Sequence, residues 1–516
     1  MSYIITDCLV DSRMRGVSIL MEEFNWLENR ARITPEAEAI IDAESKKKWS
    51  YAQLNQRSTA AAGWLINQGI HKGDRVALFS PNHISYFDLL FACAKIGAIF
   101  VPINWRLAEE EIQYILQDCT PKLAGVHSSF LEKMSEIPFL QSIYFEIDSE
   151  PYLEDSKLIL SATQCSSLDP LAIIYTGGTT GKPKGVVLSH QSIFWNAINT
   201  ITSWNLTNQD VTITYMPLFH TGGLNALSIP LLLIGGKVVL AREFRPEEAA
   251  RFLVDYQCSI VLLVPTMYHM MIQTEFFQKH SFSPNLVFLS GGAPCPLEIY
   301  EEFQRKGLQF KEGYGLTEAG PNNFYMDLNQ VHEKCGSVGK PMLFNEVKII
   351  RRDGTETDPD EVGELLLSGK HLFKCYWNNA KATEEAKFGI WLRTGDLARK
   401  DKGGFYYIAG RKKDMIITGG ENVYPLEVEH WISAMPQISE VAVVGIPDAK
   451  WGEKVTAFIV LREMTSLSLE EIKRYCSLKL GSYKIPKEII FLETLPKTHV
   501  GKIDKNRLKR MGMKKV

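Results

Sequence analysis

Apolar positions recur at helical spacing over residues 50–67, a segment that opens on Ser50 with Gln53 three places on and stops at Gly69. That is the pattern of a capped helix with a glycine stop. A short apolar run follows at 75–79, then a second helix-period stretch at 83–96 closed by Gly97, then another run at 99–103. The same alternation returns at 108–119 with 122–126 and at 246–256 with 259–264, and it predicts parallel sheets covered by helices. From about Val347 the texture changes to short alternating runs at 347–350, 363–367 and 405–408, separated by turns such as Asp353-Gly354 and Lys402-Gly403-Gly404. This predicts a β-rich portion. Beyond Gly410, runs at 441–444, 457–461 and 489–491 surround a predicted helix at 469–478. The expected fold is α/β: an extension at 1–21, a large N-terminal domain at 22–410, and a small α+β domain at 411–516.

Composition narrows the function classes. The chain has 516 residues, enough for about three units at roughly 150 residues each. Lys plus Arg number 57 against 60 Asp plus Glu, a net charge of −3, so composition makes no case for nucleic acid or an anionic membrane as partner. Nine scattered cysteines form no Cys-x-x-Cys pair and are odd in number, which fits the reduced thiols of a cytoplasmic protein. The most apolar runs, 231–234 and 261–264, fall far short of the ~20 residues that cross a bilayer. Residues 1–20 carry Asp7 and Asp11 and have no continuous apolar stretch, so they do not read as a secretory signal.

The sharpest local feature is Tyr175-Thr176-Gly177-Gly178-Thr179-Thr180-Gly181-Lys182-Pro183-Lys184-Gly185, directly after the apolar run at 171–174. Glycines turn backbone N–H groups toward a polyanion, threonine hydroxyls add donors, and Lys182 and Lys184 add charge, as in a phosphate cradle. Two other phosphate motifs fail on spacing. Thr176 stands where a Walker A loop needs its first glycine and Pro183 follows Lys182, while Glu318 occupies the last glycine position of a dinucleotide fingerprint at 313–318.

These residues resemble the adenylate-forming superfamily of acyl-CoA synthetases, carrier-protein adenylation domains and beetle luciferases, whose signature reads Tyr-Thr-Ser-Gly-Thr-Thr-Gly-x-Pro-Lys-Gly. Here Gly177 replaces the usual serine, which removes one side-chain donor and keeps the backbone donors. Further matches follow in the family's order from about residue 25 to 510. Pro217-Leu218-Phe219-His220 resembles the segment that gates the carboxylate pocket. Ser290-Gly291-Gly292-Ala293-Pro294 resembles the adenine-contacting loop, and Glu312-Gly313-Tyr314-Gly315-Leu316-Thr317-Glu318 the stretch that stacks on adenine through Tyr314. The resemblance implies that Thr317 touches phosphate and Glu318 holds Mg²⁺. It also implies that Asp396 grips the ribose hydroxyls, that Arg411 is a second ribose or phosphate contact, and that Lys502, in Pro496-Lys497-Thr498-His499-Val500-Gly501-Lys502-Ile503, is the catalytic lysine. Singly, His220 reads as a turn histidine and Lys502 as a solvated lysine; their joint occurrence in order carries the assignment.

The implied reaction joins a carboxylic acid to ATP, releases pyrophosphate, and passes the acyl-adenylate to the thiol of coenzyme A. The C-terminal domain is then mobile, hinged at Lys413, and brings Gly419 and Gly420 to the pantetheine arm. Family-like sequence starts near Glu22, so Met21 would serve as a first residue and residues 1–20 as a dispensable extension. The acyl pocket is expected from His220, Gly222 and Gly223, from Val264 and Met267, and from Gly315, with Met270 and Met271 as adaptable lining. His220 and His269 are the only basic residues of these pocket segments, which argues against a dicarboxylate. A medium- or long-chain fatty acid is the first expectation; an aryl acid, succinylbenzoate included, is the second, kept open by Asn322 and Asn323. A ligase loading a carrier protein is the rival in acceptor. A non-catalytic relative would lack Lys502 or Glu318, and neither is missing.

Overall fold

Ser50 and Gln53 exchange the two bonds of a capping box, the Ser50 amide donating to Gln53 Oε1 at 2.8 Å and the Gln53 amide to Ser50 Oγ at 3.3 Å, and so start the helix Tyr51–Asn67. The computed structural model describes residues 25–137, 143–154, 165–177, 182–497 and 503–513. The expected extension at 1–21 lies outside the described residues. Tyr51–Asn67 packs on Ser85–Ile96, and inside the pair Arg57 donates to both oxygens of Asp88 at 3.1 and 2.6 Å.

These helices cover a seven-stranded sheet. Its order is Cys375–Tyr376, Lys184–Ser189, Pro170–Thr176, Ile99–Pro102, Arg75–Phe79, Leu123–Val126 and Tyr144–Glu146. The last five strands are parallel, as the alternation predicts, and the first two are antiparallel additions. A second layer holds Lys48–Ser50, Glu38–Asp42, Lys237–Leu240 and Val211–Thr214 beside the all-parallel trio Ile260–Leu263, Val287–Ser290 and Gln309–Glu312. Ser259 bridges the two groups through the backbone of Val211 at 2.9 and 3.0 Å.

The β-rich portion is antiparallel throughout: Glu346–Ile350, Gly363–Ser368 and Trp391–Lys400 in order, with Lys387–Phe388 and Tyr406–Arg411 both on Trp391–Lys400. The strand Tyr406–Arg411 carries this sheet one residue past the junction expected at Gly410. The next sheet begins at Ile416–Thr418 and continues through Glu421–Val423, Gly452–Leu461, Ile438–Asp448 and Glu488–Phe491. Pro425–Ser433 and Leu469–Ser477 share one core with it, and Lys505–Met513 closes a second. Among the described residues no helix is long and apolar enough to cross a membrane, and every cysteine is a free thiol.

Candidate active site

Three parallel strands, Ile260–Leu263, Val287–Ser290 and Gln309–Glu312, run in register, so the loops leaving them rise side by side. The Gly291 amide donates to Leu263 O at 3.3 Å and the Gly313 amide to Ser290 O at 2.8 Å. Val264, Gly291, Gly292 and Gly313 therefore share one rim, and Ala293 follows on the second loop. Gly292 takes φ +82°, a left-handed backbone that suits only glycine well.

Tyr314 leaves that rim and reaches across 82 residues of sequence. Its hydroxyl donates to Asp396 Oδ2 at 2.5 Å, while Arg411 Nε holds Asp396 Oδ1 at 2.7 Å. Asp396 and Arg411 face each other as a register pair of the strands Trp391–Lys400 and Tyr406–Arg411. Burial, and then the adjacent Asp396 carboxylate, push the Tyr314 phenol well above its usual range, so it stays a donor.

A second group forms beside it. Thr317 and Glu318 lie in a single 3₁₀ turn; the Glu318 carbonyl accepts from the Phe373 amide at 2.8 Å, and Tyr376 donates its hydroxyl to Glu318 Oε1 at 2.7 Å. Lys184 Nζ stands 5.0 Å from the centre of the Tyr376 ring, and Arg411 is within electrostatic reach of Glu318. Thr176 pairs with Lys184 across the hairpin and donates to its carbonyl at 3.4 Å, whereas Lys182 extends over Tyr114 at 4.9 Å. A Cβ at Gly177 would meet no atom within 4 Å, so the family's serine fits there without displacement. Gly178, Thr179, Thr180 and Gly181 lie outside the described residues, and so does Lys502.

His220 caps the turn Thr221–Gly223, its Nδ1 accepting the Gly222 amide at 3.1 Å. A Cβ on Gly223 would stand 2.3 Å from Pro217 O, and one on Gly315 2.2 Å from Pro321 C, so neighbouring backbone fills the space that these two glycines were expected to leave for the acid. Met267 packs half-buried at the edge of the core formed by Val261, Leu263, Phe288 and Phe310 of the parallel trio. Met271 is fully inside that core, on the same helix face as Met267, and Met270 is exposed, so neither Met270 nor Met271 lines the pocket as expected.

Some candidates are not brought to this group. The Glu312 carboxylate accepts from Tyr300 at 2.5 Å and from the Cys295 amide at 2.8 Å, and burial pushes it up to about 7. Asn322 and Asn323 are buried, Asn322 donating to Thr200 Oγ1 and Ala226 O at 3.0 and 2.7 Å, and Asn323 meeting Asn345 and His371. Gly419 and Gly420, with φ +59° and +87°, form the two-residue turn of the hairpin Ile416–Thr418 to Glu421–Val423, and Gly419 rests on Trp451. Lys413 sits in the 3₁₀ turn Lys412–Asp414 between the two C-terminal sheets, where burial lowers its ammonium and Asp396 lies within electrostatic reach. Tyr376 is the residue the motifs passed over. Its strand is two residues long, too short for any period to show.

The described donor set suits Mg²⁺ shared with phosphates rather than a metal caged by protein. Glu318 is a single hard carboxylate, and among the described residues no three His, Cys, Asp or Glu gather.

Comparisons with known proteins cover most of the chain. The AMP-binding enzyme family matches residues 27–377, and the AMP-binding enzyme C-terminal domain matches residues 427–502. A feruloyl-CoA synthase from Amycolatopsis sp is 34% identical over 94% of this chain and 98% of its own. A long-chain-fatty-acid–CoA ligase from Mycobacterium tuberculosis is 34% identical over 95% and 98%. Among solved structures, the o-succinylbenzoate CoA synthetase of Bacillus subtilis, in complex with its acyl-adenylate intermediate, superposes with a TM-score of 0.85 at 32% identity, covering 94% of this chain and 98% of that one. The chain belongs to the AMP-binding enzyme family of adenylate-forming acid–CoA ligases.

Proposed function

We propose that the protein activates a carboxylic acid with ATP and transfers the acyl group to coenzyme A, with the residues above in the roles their positions suggest. The observation that carries this reading is the convergence of Tyr314, Asp396 and Arg411 beside Glu318, Tyr376 and Lys184. A carboxylate oxygen of the acid attacks the α-phosphorus of ATP and pyrophosphate leaves; the thiol of coenzyme A then attacks the acyl carbon and AMP leaves. Both steps rest on positioning and charge neutralisation more than on proton transfer. Gly291, Gly292, Ala293 and Tyr314 hold adenine, Asp396 and Arg411 the ribose, and Thr176 to Lys184 with Thr317 the phosphates. Mg²⁺ on Glu318 would offset phosphate charge. Tyr376 supports that role by fixing one oxygen of Glu318 and leaving the other to a ligand.

The acid pocket combines His220, Gly222, Val264, Met267 and Gly315. Two of the three methionines that favoured an alkyl chain turn away from it. This supports an aryl or otherwise polar acid over a long fatty chain. The feruloyl and o-succinylbenzoate relatives act on acids of that kind. Pyrophosphate release over a panel of carboxylic acids, with and without coenzyme A, tests the reading. An acid-dependent release followed by stoichiometric thiol consumption is expected; release without thiol consumption would assign the acyl group to a carrier protein instead.

For the second step, residues 411–516 act as the moving domain about Lys413, carrying Gly419 and Gly420 toward the pantetheine arm. The exposed pair Arg462–Glu298, 2.7 Å apart, joins the small domain to the large one and is worth at most about 1 kcal/mol, so it offers little resistance. Lys413→Pro is expected to spare pyrophosphate release and suppress thioester formation, because proline removes the φ freedom a hinge needs. Retention of both half-reactions would remove the hinge.

A further inference from the structure

The turn that carries His220 is held from another layer of the fold. Asn82 lies in the loop between the strand Arg75–Phe79 and the helix Ser85–Ile96, and its side chain is buried. Its Nδ2 donates to Thr214 O at 3.2 Å, to Met216 O at 3.1 Å and to Ala241 O at 3.1 Å, while its Oδ1 accepts from the Leu218 amide at 2.9 Å. Three carbonyls on one side and an N–H on the other fix which way the amide points. Thr214 ends the strand Val211–Thr214, and Ala241 follows its parallel neighbour Lys237–Leu240. A staple between the two layers needs only those two carbonyls. The bonds to Met216 and Leu218 reach further, into the backbone of the turn itself, two residues before His220.

The rest of that turn closes on itself. The His220 amide donates to Pro217 O at 3.0 Å, and the Gly223 and Leu224 amides both donate to His220 O, at 3.0 and 3.1 Å. The π-helical turn Leu224–Ser228 follows at once, a form that recurs at functional sites. Ser228 Oγ donates to Gly223 O at 2.8 Å and lies 3.1 Å from Thr214 Oγ1, which returns the far end of the segment to the strand it left. Between the two ends, the buried Phe219 ring meets Trp105 edge-on at 6.4 Å, and the Arg106 guanidinium stands 5.9 Å from it. Residues 214–228 therefore form one closed unit, and three of the four bonds of Asn82 are made to it.

We propose that Asn82, with Ser228 at the far end, is the positioning residue of the acid gate: by holding Met216 O and Leu218 N it sets where His220 stands, and through His220 it governs use of the acid. The inference rests on the reading of His220 as a pocket residue and goes beyond it by assigning the position of the gate to a buried side chain of another layer. Removing the amide leaves three carbonyls and one N–H without their partner, and the turn shifts to recover them. A displacement of about 1 Å in a positioning group costs on the order of 10²-fold in rate.

The test compares pyrophosphate release by the full chain, with the best acid of the panel above, for the wild type, Asn82→Ala, His220→Ala and the double variant. Asn82→Ala is expected to lose about 10²-fold in kcat/KM for the acid. Its KM for ATP should be unchanged, because Tyr314, Asp396 and Arg411 are held by other elements. The double variant should be no worse than the poorer single variant, since residues that act as one unit are not additive. Ser228→Ala removes one hydroxyl at the other end and leaves Asn82 in place; a loss of about tenfold is expected, with none added on top of His220→Ala, and this variant carries the test if Asn82→Ala does not fold. Additive losses, or equal losses toward acid and ATP, would make Asn82 a packing residue only. Wild-type kinetics in Asn82→Ala, or in Ser228→Ala if the first does not fold, beside an impaired His220→Ala would overturn the positioning role alone. Wild-type kinetics in His220→Ala would remove the gate as well, and failure of every acid to release pyrophosphate from the wild type would instead remove the ligase reading.

Discussion

Lys502→Ala is expected to cost about 10²–10³-fold in acid-dependent pyrophosphate release, the penalty for deleting one preorganised donor to developing charge. Thioester formation from a supplied acyl-adenylate is expected to be nearly unchanged. The asymmetry follows from what each step must neutralise. In the first, an anionic carboxylate approaches an anionic α-phosphate, and a cation between them acts on the transition state itself. In the second, the thiol attacks an acyl carbon whose leaving group already carries its charge. The other cations of the site are engaged elsewhere: Arg411 holds Asp396, and Lys184 stands over Tyr376. Lys497 and Ile503, which flank the lysine's segment, bridge each other, so the ends of that segment are fixed on the small domain. Separate assays of the two half-reactions decide the matter. Equal losses in both would mean that Lys502 supports the fold or binds the nucleotide uniformly.

The layered architecture was legible because its elements are long and strongly periodic. The helices at 51–67, 85–96 and 246–255 and the strands between them appear within two residues of their sequence boundaries. The β-rich portion was equally legible from its Asp-Gly and Gly-Gly turns. Less visible were elements that exist only through tertiary pairing: Lys184–Ser189 as an antiparallel neighbour of the loop strand, the two-residue edge strand Cys375–Tyr376, and the π-helical turn Leu224–Ser228. The motif residues that meet in space, Tyr314, Asp396 and Arg411, were legible as members of one group. What the pattern could not supply was side-chain direction. Glu312 and Tyr314 are two residues apart in one motif, yet the first points into a nest of Tyr300 and Cys295 while the second crosses to Asp396. The methionines of Pro265–Ile272 and the buried pairing of Asn322 and Asn323 escaped for the same reason. The burial of Lys311 against Trp204 and Tyr325 escaped because a lysine within a short strand has no sequence mark of burial.

Gly315→Ala is expected to remove activity and lower Tm by about 5–10 °C, for a cost of roughly 3 kcal/mol. The added Cβ would lie 2.2 Å from both the carbonyl carbon and the oxygen of Pro321 and 2.5 Å from its Cα. These are backbone atoms, so no rotamer relieves the overlap. The segment has little room to shift, because the Asn323 amide donates to Tyr314 O at 3.1 Å, the Leu316 amide to Gly320 O at 3.1 Å, and Asn322 anchors it to Ala226. Opening it would move Tyr314 away from Asp396 and Glu318 away from Tyr376 together, so nucleotide and metal contacts fail in one step. Gly177→Ala is the matched control: its Cβ meets nothing within 4 Å and its backbone is not left-handed, so Tm should hold within a degree or so, as surface changes do. A Gly315→Ala protein with the Tm and the pyrophosphate release of the wild type would show that the contact between Gly315 and Pro321 is not what shapes the site.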